Sequence, residues 1–124
     1  SEIIKCMIKK DIHIKDAKVL ILGVTFKENC PDVRNTKVVD LVRALQAYDV
    51  QISIHDPWAN EEEVKREYGL VSKQDVPKQQ FDAIVLTVAH REFESLNIKQ
   101  LKLENSVVYD LKNILSRDMR DSSL

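Results

Sequence analysis

The stretch KVLILGVTFKENCPDVRNTKVVDLVRAL, residues 18–45, decides the fold class of this chain. Its apolar run Val19–Val24 is typical of a strand that is buried on both faces of a parallel sheet. Thr36 or Asn35 then offers an N-terminal cap for a helix. Apolar residues at i, i+3, i+4 and i+7 predict that this helix buries one face: Val38, Leu41, Val42 and Leu45. The stretch therefore predicts a strand, a loop and a helix.

The loop between this strand and this helix carries charged side chains where a phosphate-binding turn would carry glycines. It has one glycine, Gly23, and it contains Lys27, Asp32 and Arg34. Backbone N–H groups and the helix dipole at the predicted helix start favour an anion, and both lysine and arginine suit phosphate. The residues alone leave two interpretations open: a phosphate site, or a solvated Lys27 beside an Arg34 that pairs with Asp32.

The rest of the chain alternates between the same two kinds of pattern. We predict a strand at 50–57 that ends at Asp56-Pro57, and a short helix that Asn60 caps and Gly69 ends. The remaining predicted elements are a strand at 81–90, a short helix within 91–101 and a strand at 106–115 that ends near Asp110. This alternation predicts an α/β fold with a mostly parallel sheet and helices on both faces.

Length and composition exclude several functional classes. The chain has 124 residues, which suits one domain, and a net charge of −1, which gives no general attraction to nucleic acid or to an anionic membrane. No apolar run approaches the roughly 20 residues of a membrane span. Cys6 and Cys30 lack metal-site spacing and no secretory signal precedes them, so we expect free thiols, no metal and a cytoplasmic location.

Polar residues at the predicted strand ends have open roles. Asp56 is either an acid for ribose hydroxyls or a turn aspartate before proline, and the sequence favours the turn. His55 and His90 are either general bases or loop histidines, and loop histidines are the commoner case. Trp58 either is exposed or covers the sheet edge. Cys30 lacks a neighbouring base motif, so a structural role is favoured over a catalytic one.

Four segments together resemble the C-terminal domain of the UDP-glucose/GDP-mannose dehydrogenase family: LILGVTFKENCPDVRNTKVVDLV, IHDPW, FDAIVLTVAHREF and VVYDLKNIL. The most specific is G-x-x-F-K-x-N-x-x-D-x-R. The resemblance implies a three-layer Rossmann-like domain at residues 17–124 that receives the UDP part of a nucleotide sugar. Residues 1–16 would be the end of a connecting helix, and NAD would be bound mainly by a separate N-terminal domain.

The resemblance also implies roles for individual residues. Phe26 and Lys27 match a pair that contacts the nucleotide sugar, and Lys112 is a further substrate-binding position. Arg34 matches an arginine that reaches the NAD side of the cleft, with Asp32 as its orienting partner. No catalytic residue is expected here, because the family's catalytic cysteine lies in a motif that this chain lacks.

The text D-L-K-N around Lys112 departs from the D-G-R-N of glucose-oxidising members. It fits better the branch that oxidises UDP-N-acetylhexosamines for surface polysaccharides of the Vi type. We therefore expect a UDP-N-acetylhexosamine substrate, an isolated domain without activity and a full-length enzyme that is a homo-oligomer. The alternatives are a UDP-glucose or GDP-mannose 6-dehydrogenase domain, or a stand-alone nucleotide-binding module.

Overall fold

The computed structural model describes residues 1–34, 36–115, 120 and 122–123. Four α-helices and one 3₁₀ helix lie within these ranges: α1 Glu2–Lys9, α2 Val38–Gln46, α3 Glu61–Tyr68, the 3₁₀ helix Arg91–Ser95 and α4 Ile98–Leu101. The strands are β1 Lys18–Leu22, β2 Gln51–His55, β3 Ser72–Lys73, β4 Phe81–Leu86, β5 Lys102–Asp110 and β6 Ser122–Ser123. Within the described ranges, no helix has the length and apolar character that crossing a bilayer requires.

These six strands form one sheet with the order β3-β2-β1-β4-β5-β6, and every pairing described in it is parallel. All four strands predicted from the sequence are present, with different bounds. β1 ends at Leu22 and β4 at Leu86, so each strand is shorter than the stretch predicted for it. β5 begins at Lys102, earlier than predicted. β3 and β6 were not predicted, because two residues are too short to show a periodic pattern.

Successive residues of β1 face opposite sides of the sheet and join two separate cores. Val19 and Ile21 pack in the core that the three longer helices α1, α2 and α3 cover. Leu20 and Leu22 pack in the core formed with the 3₁₀ helix and α4. Burial on both faces explains why β1 reads as a continuous apolar run. The predicted parallel α/β fold with helices on both faces is confirmed.

The first helix belongs to the larger core. Ile3, Ile4 and Met7 of α1 are buried there, whereas Ile8 points outward and is 57% exposed. Asn105, in β5, donates a side-chain hydrogen bond to the carbonyl of Lys10, just after the helix. These contacts hold α1 on the sheet beside β5. That residues 1–16 end a longer connecting helix remains a prediction.

The helix termini agree with the sequence at α3 and differ at α2. The side chain of Asn60 accepts a hydrogen bond from the N–H of Glu63, and Gly69 follows α3 in the left-handed conformation, both as predicted. Lys37, not Thr36, occupies the cap position of α2, although Thr36 Oγ1 accepts a hydrogen bond from the N–H of Val38. The alternative cap, Asn35, lies outside the described residues.

The strand order reverses direction between β1 and β4. From β1 the chain crosses to β2 on one side, and from β4 it crosses to β5 on the other. In open parallel sheets, ligands bind beyond the carboxyl ends of the strands at such a reversal. Gly23 lies there with a φ of 105°, and a Cβ at this position would lie 2.5 Å from Cβ of Val88. The lone glycine of the loop is therefore required for close approach of the segments that follow β1 and β4.

Candidate functional site

A pocket of about 240 Å³ opens at this reversal point. Four separate parts of the chain line it: the segment after β1, the start of α2, the segment after β4 and the turn after β5. Its lining residues are Thr25, Phe26, Lys27, Glu28, Thr36, Lys37, Val38, Thr87, Val88 and Lys112. All three residues predicted to bind substrate, Phe26, Lys27 and Lys112, therefore lie at one pocket.

The pocket is positively charged. Lys27, Lys37 and Lys112 line it, and Glu28 is the one acidic residue among the described residues of the lining. All three lysines are exposed, and none of them forms a salt bridge within the described ranges. Three such ammonium groups around one cleft are suited to an anion that carries more than one charge.

The start of α2 adds to this positive character. Thr36, Lys37 and Val38 line the pocket at the helix N-terminus, where the helix dipole favours negative charge. Phe26 supplies an apolar surface at the same opening, and this residue is 57% exposed. An exposed phenylalanine beside three cations can contact a planar or apolar group that is joined to an anion.

Arg34 and Asp32 do not line this pocket. The Arg34 guanidinium donates to both carboxylate oxygens of Asp32, from Nε at 3.1 Å and from Nη2 at 3.2 Å, and its side chain is 79% exposed. The hydrogen bonds from Arg34 lower the pKa of the Asp32 carboxyl. The adjacent carbonyl, that of Val33, accepts a hydrogen bond from the hydroxyl of Tyr68 in α3. Of the two cations of the first loop, Lys27 therefore lines the pocket and Arg34 is paired with Asp32 outside its lining.

Asp56 is a buried turn aspartate. Its Oδ2 accepts hydrogen bonds from the N–H groups of Val24 and Thr25 at 2.7 and 3.1 Å, and its Oδ1 accepts from Trp58 and Ala59. Burial by itself would raise the pKa of Asp56, but the hydrogen bonds from His90 and from the N–H groups of Val24 and Trp58 outweigh it, so the pKa is lowered. The side chain is fully buried, so it joins the ends of β1 and β2 and does not reach a ligand.

Both candidate histidines are buried structural residues. His55 Nδ1 lies 3.1 Å from the carbonyl oxygen of Lys73, and its ring packs near Phe93. His90 is completely buried, with Nε2 3.0 Å from Asp56 Oδ2. Both histidines are buried and neither lines the pocket, so neither is placed to act as a general base there.

Trp58 covers this part of the sheet edge. It is half-buried, its ring stacks on that of His90, and its Nε1 donates to Glu92 Oε1 at 2.9 Å. The guanidinium of Arg91 lies over the same ring, 5.2 Å from its centroid. Of the two roles left open by the sequence, the structure therefore selects the one in which the indole covers the sheet.

Asp110 holds the turn that contains Lys112. Like Asp56, it is a buried aspartate at a strand end whose carboxylate accepts hydrogen bonds from backbone N–H groups. Asp110 is fully buried at the end of β5, and its Oδ1 accepts hydrogen bonds from the N–H groups of Lys112 and Asn113. Its Oδ2 accepts from the N–H of Leu115, and Nη1 of Arg120 lies 3.8 Å from the same oxygen. The turn that carries Lys112 is thus held at the sheet edge beside the pocket.

The sequence did not predict Lys37, Thr25 or Thr87 as pocket residues. Thr87 is a buried part of the lining, and its Oγ1 is 2.8 Å from the carbonyl oxygen of Leu22 and 2.6 Å from that of Gly23. Lys37 reads in sequence as a surface lysine before a helix, and only the assembled sheet shows that it faces the pocket. The sequence did contain one signal for Lys37: it is a charged residue at a predicted helix start, in the loop that follows a predicted strand.

An open parallel sheet with a cationic pocket at its reversal point is an α/β domain arranged to bind an anionic ligand. The sequence model of the UDP-glucose/GDP-mannose dehydrogenase family, UDP binding domain, matches residues 20–117. The chain belongs to the UDP-glucose/GDP-mannose dehydrogenase family.

Individual relatives agree with this assignment. The chain is 45% identical to a UDP-N-acetyl-D-glucosamine 6-dehydrogenase of Pseudomonas aeruginosa over 100% of its own length, and 42% identical to one of Salmonella typhi over 99%. It spans 30% of the length of each of these relatives. An NDP-N-acetyl-D-galactosaminuronic acid dehydrogenase from Methanosarcina mazei Go1 shares the fold, with a TM-score of 0.81, 21% identity and coverage of 95% of this chain and 25% of that one.

Proposed function

We propose that this chain is the nucleotide-sugar-binding domain of an NAD-dependent UDP-N-acetylhexosamine 6-dehydrogenase. Such an enzyme converts the C6 alcohol of the sugar to a carboxylate in two NAD-dependent oxidations, with water supplying the second oxygen. The product, a UDP-N-acetylhexosaminuronic acid, serves surface polysaccharide synthesis. The domain by itself binds the nucleotide part and carries out no oxidation, since the cysteine motif and the NAD-binding glycine loop belong to other parts of the enzyme.

One observation carries the proposal: three lysines without an acidic partner among the described residues converge on a pocket at the β1/β4 reversal point. Lys27 and Lys37 approach from the loop after β1 and the start of α2, and Lys112 approaches from the turn after β5. A diphosphate carries enough negative charge for such a set of cations and for the N-terminus of α2. Phe26, beside Lys27, then offers its ring to the uridine or the sugar.

Arg34 belongs to a different surface in this proposal. It is exposed, and its hydrogen bond to Asp32 raises the pKa of its guanidinium, with a smaller contribution from the charge of Glu63 in α3. The resemblance assigns Arg34 to the NAD side of the cleft. Its remaining N–H groups can reach an anion there while Asp32 holds the guanidinium plane. NAD itself would be held mainly by the N-terminal domain of the full-length enzyme, which we expect to be a homo-oligomer.

The sugar is assigned to the N-acetylhexosamine branch on two grounds. Leu111 and Lys112 replace the glycine and arginine of the glucose-oxidising pattern, and lysine cannot reproduce the two parallel hydrogen bonds of an arginine. The two relatives named above, which match the whole or nearly the whole chain, are UDP-N-acetyl-D-glucosamine 6-dehydrogenases. UDP-glucose or GDP-mannose as the substrate is the alternative.

Calorimetry with UDP tests the proposed function on the 124-residue chain. We expect measurable heat with a dissociation constant in the micromolar to millimolar range, because the other domains that would close over the ligand do not contribute. Circular dichroism provides the control that the chain is folded. A folded chain that gives no heat at millimolar UDP would contradict the proposal.

A further inference from the structure

His90 lies inside the domain, behind the pocket and not in its lining. Its ring is completely buried between Trp58, with ring centroids 6.1 Å apart, and Phe93, with centroids 5.4 Å apart. Both ring nitrogens nevertheless have polar partners. Nδ1 lies 2.9 Å from the backbone nitrogen of Asn29, and Nε2 lies 3.0 Å from both Thr25 Oγ1 and Asp56 Oδ2.

These contacts define which nitrogen carries the proton. A backbone N–H can only donate, so Nδ1 accepts the hydrogen bond from Asn29 and carries no hydrogen. The neutral ring therefore has its proton on Nε2, where it faces the Asp56 carboxylate and the Thr25 hydroxyl oxygen. His90 thus accepts a hydrogen bond from Asn29 through Nδ1 and faces Thr25 with its Nε2–H group, so it contacts both ends of residues 25–29.

Residues 25–29 are the part of the first loop that carries Phe26 and Lys27 into the pocket. Thr25 Oγ1 donates to the carbonyl of Lys27 at 3.1 Å, so the hydroxyl that meets His90 also holds the backbone of Lys27. Asn29 has a φ of 54°, in the left-handed region that residues other than glycine rarely adopt. The N–H of Arg91, next to His90, donates to Asn29 Oδ1 at 2.9 Å.

The loop therefore receives much of its conformation from the segment after β4. His90 and Arg91 supply two contacts that offset the unfavourable left-handed conformation of Asn29. Without the Nδ1 acceptor, the N–H of Asn29 would lose its partner and residues 25–29 could relax into other conformations. Lys27 would then have to be ordered again when a ligand binds, which lowers affinity.

We propose that His90 is a positioning residue, which holds residues 25–29 so that Phe26 and Lys27 are presented to the pocket. It touches no ligand and takes no part in proton transfer. Its effect on binding rests on the proposed function of the pocket, namely recognition of the UDP part of a nucleotide sugar.

Two substitutions separate the two roles of the His90 ring, which are to accept from Asn29 and to donate toward Asp56. In His90→Asn the side-chain oxygen lies near the position of Nδ1, so it can still accept from Asn29, but the donor to Asp56 is lost. In His90→Gln a donor remains near the position of Nε2, but the acceptor for Asn29 is lost. Ile98→Val is the control for a loss of stability away from the loop, because Ile98 is the first residue of α4 and packs in the smaller core.

For each variant of the whole chain, calorimetry measures the affinity for UDP and thermal unfolding measures the melting temperature. We expect His90→Gln to weaken UDP binding about tenfold, and His90→Asn to stay within about threefold of the wild type, because only the former leaves Asn29 without its acceptor. Ile98→Val should bind UDP with wild-type affinity at a lowered melting temperature. Equal affinities for the wild type and His90→Gln, with UDP bound by both, would overturn the positioning role and leave the proposed function intact.

Asn29→Gly provides a variant at an exposed position that does not perturb the core. Glycine tolerates the left-handed conformation but removes the Oδ1 contact to Arg91 and frees the loop, so UDP binding should weaken several-fold while the melting temperature changes little. Wild-type affinity in Asn29→Gly would count against the proposal even if His90→Gln fails to fold. Absence of UDP binding in the folded wild type would overturn the proposed function, and the role of His90 with it.

Discussion

At the scale of the residue, the two cations of the first loop have different surroundings. Lys27 lines the pocket and has no acidic partner among the described residues, whereas Arg34 is held by both oxygens of Asp32. The sequence placed both at the start of a predicted helix and left open whether they share a ligand. In the structure only Lys27 lines the pocket, although the N–H of Phe26 donates to the carbonyl of Asp32 at 2.7 Å and so closes the loop between the two cations.

The first prediction concerns Lys27. Lys27→Ala should weaken UDP binding by about 1.5–3 kcal/mol, since it removes a charged hydrogen-bond donor from the pocket. Calorimetry measures the change, and Lys99→Ala is the matched control, because Lys99 is an exposed lysine on α4 that does not line the pocket. Equal losses in the two variants would show that only the general charge of the chain matters.

The second prediction concerns Asp56. Its pKa in the folded state is lowered, so its carboxylate stabilises the fold above the unfolded-state pKa of about 3.9, and this contribution is lost as the pH falls through the lower folded-state value. Asp56→Asn should therefore reduce the free energy of unfolding at pH 7 by about 3 kcal/mol, because the amide NH2 that replaces one carboxylate oxygen cannot accept, and the buried N–H groups that donate to that oxygen lose their partner.

Urea unfolding of the wild type and Asp56→Asn at a series of pH values measures this difference. It should stay constant from about pH 7 to about pH 5 and shrink below about pH 4. A difference that is the same at about pH 7 and about pH 3.5 would mean that the charge of Asp56 is not what stabilises the strand ends.

At the scale of the element, the ends of three neighbouring strands are tied together by buried side chains. Asp56 after β2 holds the backbone after β1, and His90 after β4 holds both. Gly23 allows the segments after β1 and β4 to approach, since any Cβ there would overlap Val88. The first loop has charged residues in place of the glycines of a phosphate-binding turn. It is held by side chains that follow the neighbouring strands β2 and β4.

The third prediction compares the two glycines of the chain. Gly69→Ala should destabilise the fold by about 1 kcal/mol, because Gly69 has a φ of 68° but nothing within 4 Å of an added Cβ. Gly23→Ala should cost more than about 3 kcal/mol, because its Cβ would lie 2.5 Å from that of Val88. It should also weaken UDP binding, since Val88 lines the pocket, whereas Gly69→Ala should not. Urea unfolding and calorimetry measure the two effects, and similar unfolding free energies for the two variants would contradict the close approach at Gly23.

At the scale of the whole molecule, the pocket exists only when the sheet is assembled. The segments that line it come from the loop after β1, the start of α2, the segment after β4 and the turn after β5. β1 and β4 are neighbours in the sheet although α2, β2, α3 and β3 lie between them in sequence. The pocket therefore depends on the sheet order more than on any single motif.

The fourth prediction follows from the charge of this assembled surface. UDP should bind at least about tenfold more tightly than uridine at low salt, because in the proposed function the three lysines and the start of α2 recognise the diphosphate. The difference should narrow as KCl is raised, since salt screens charges at an open cleft. Calorimetric titrations with both ligands between about 20 and about 500 mM KCl provide the test. Equal affinities for UDP and uridine would refute recognition through phosphate.

The sequence by itself determined the α/β class, the strands β1, β2, β4 and β5, and the caps of α3, because continuous apolar runs, helical spacing and capping residues are local signals. It also singled out Phe26, Lys27 and Lys112, which the structure brings to one pocket. Only the tertiary structure decided that Lys37 joins them, that Arg34 is not part of the pocket lining, and that Asp56 and His90 are buried beneath the first loop. These facts depend on which strands are neighbours and which side chains lose contact with water, and both are set by packing between parts of the chain that are distant in sequence.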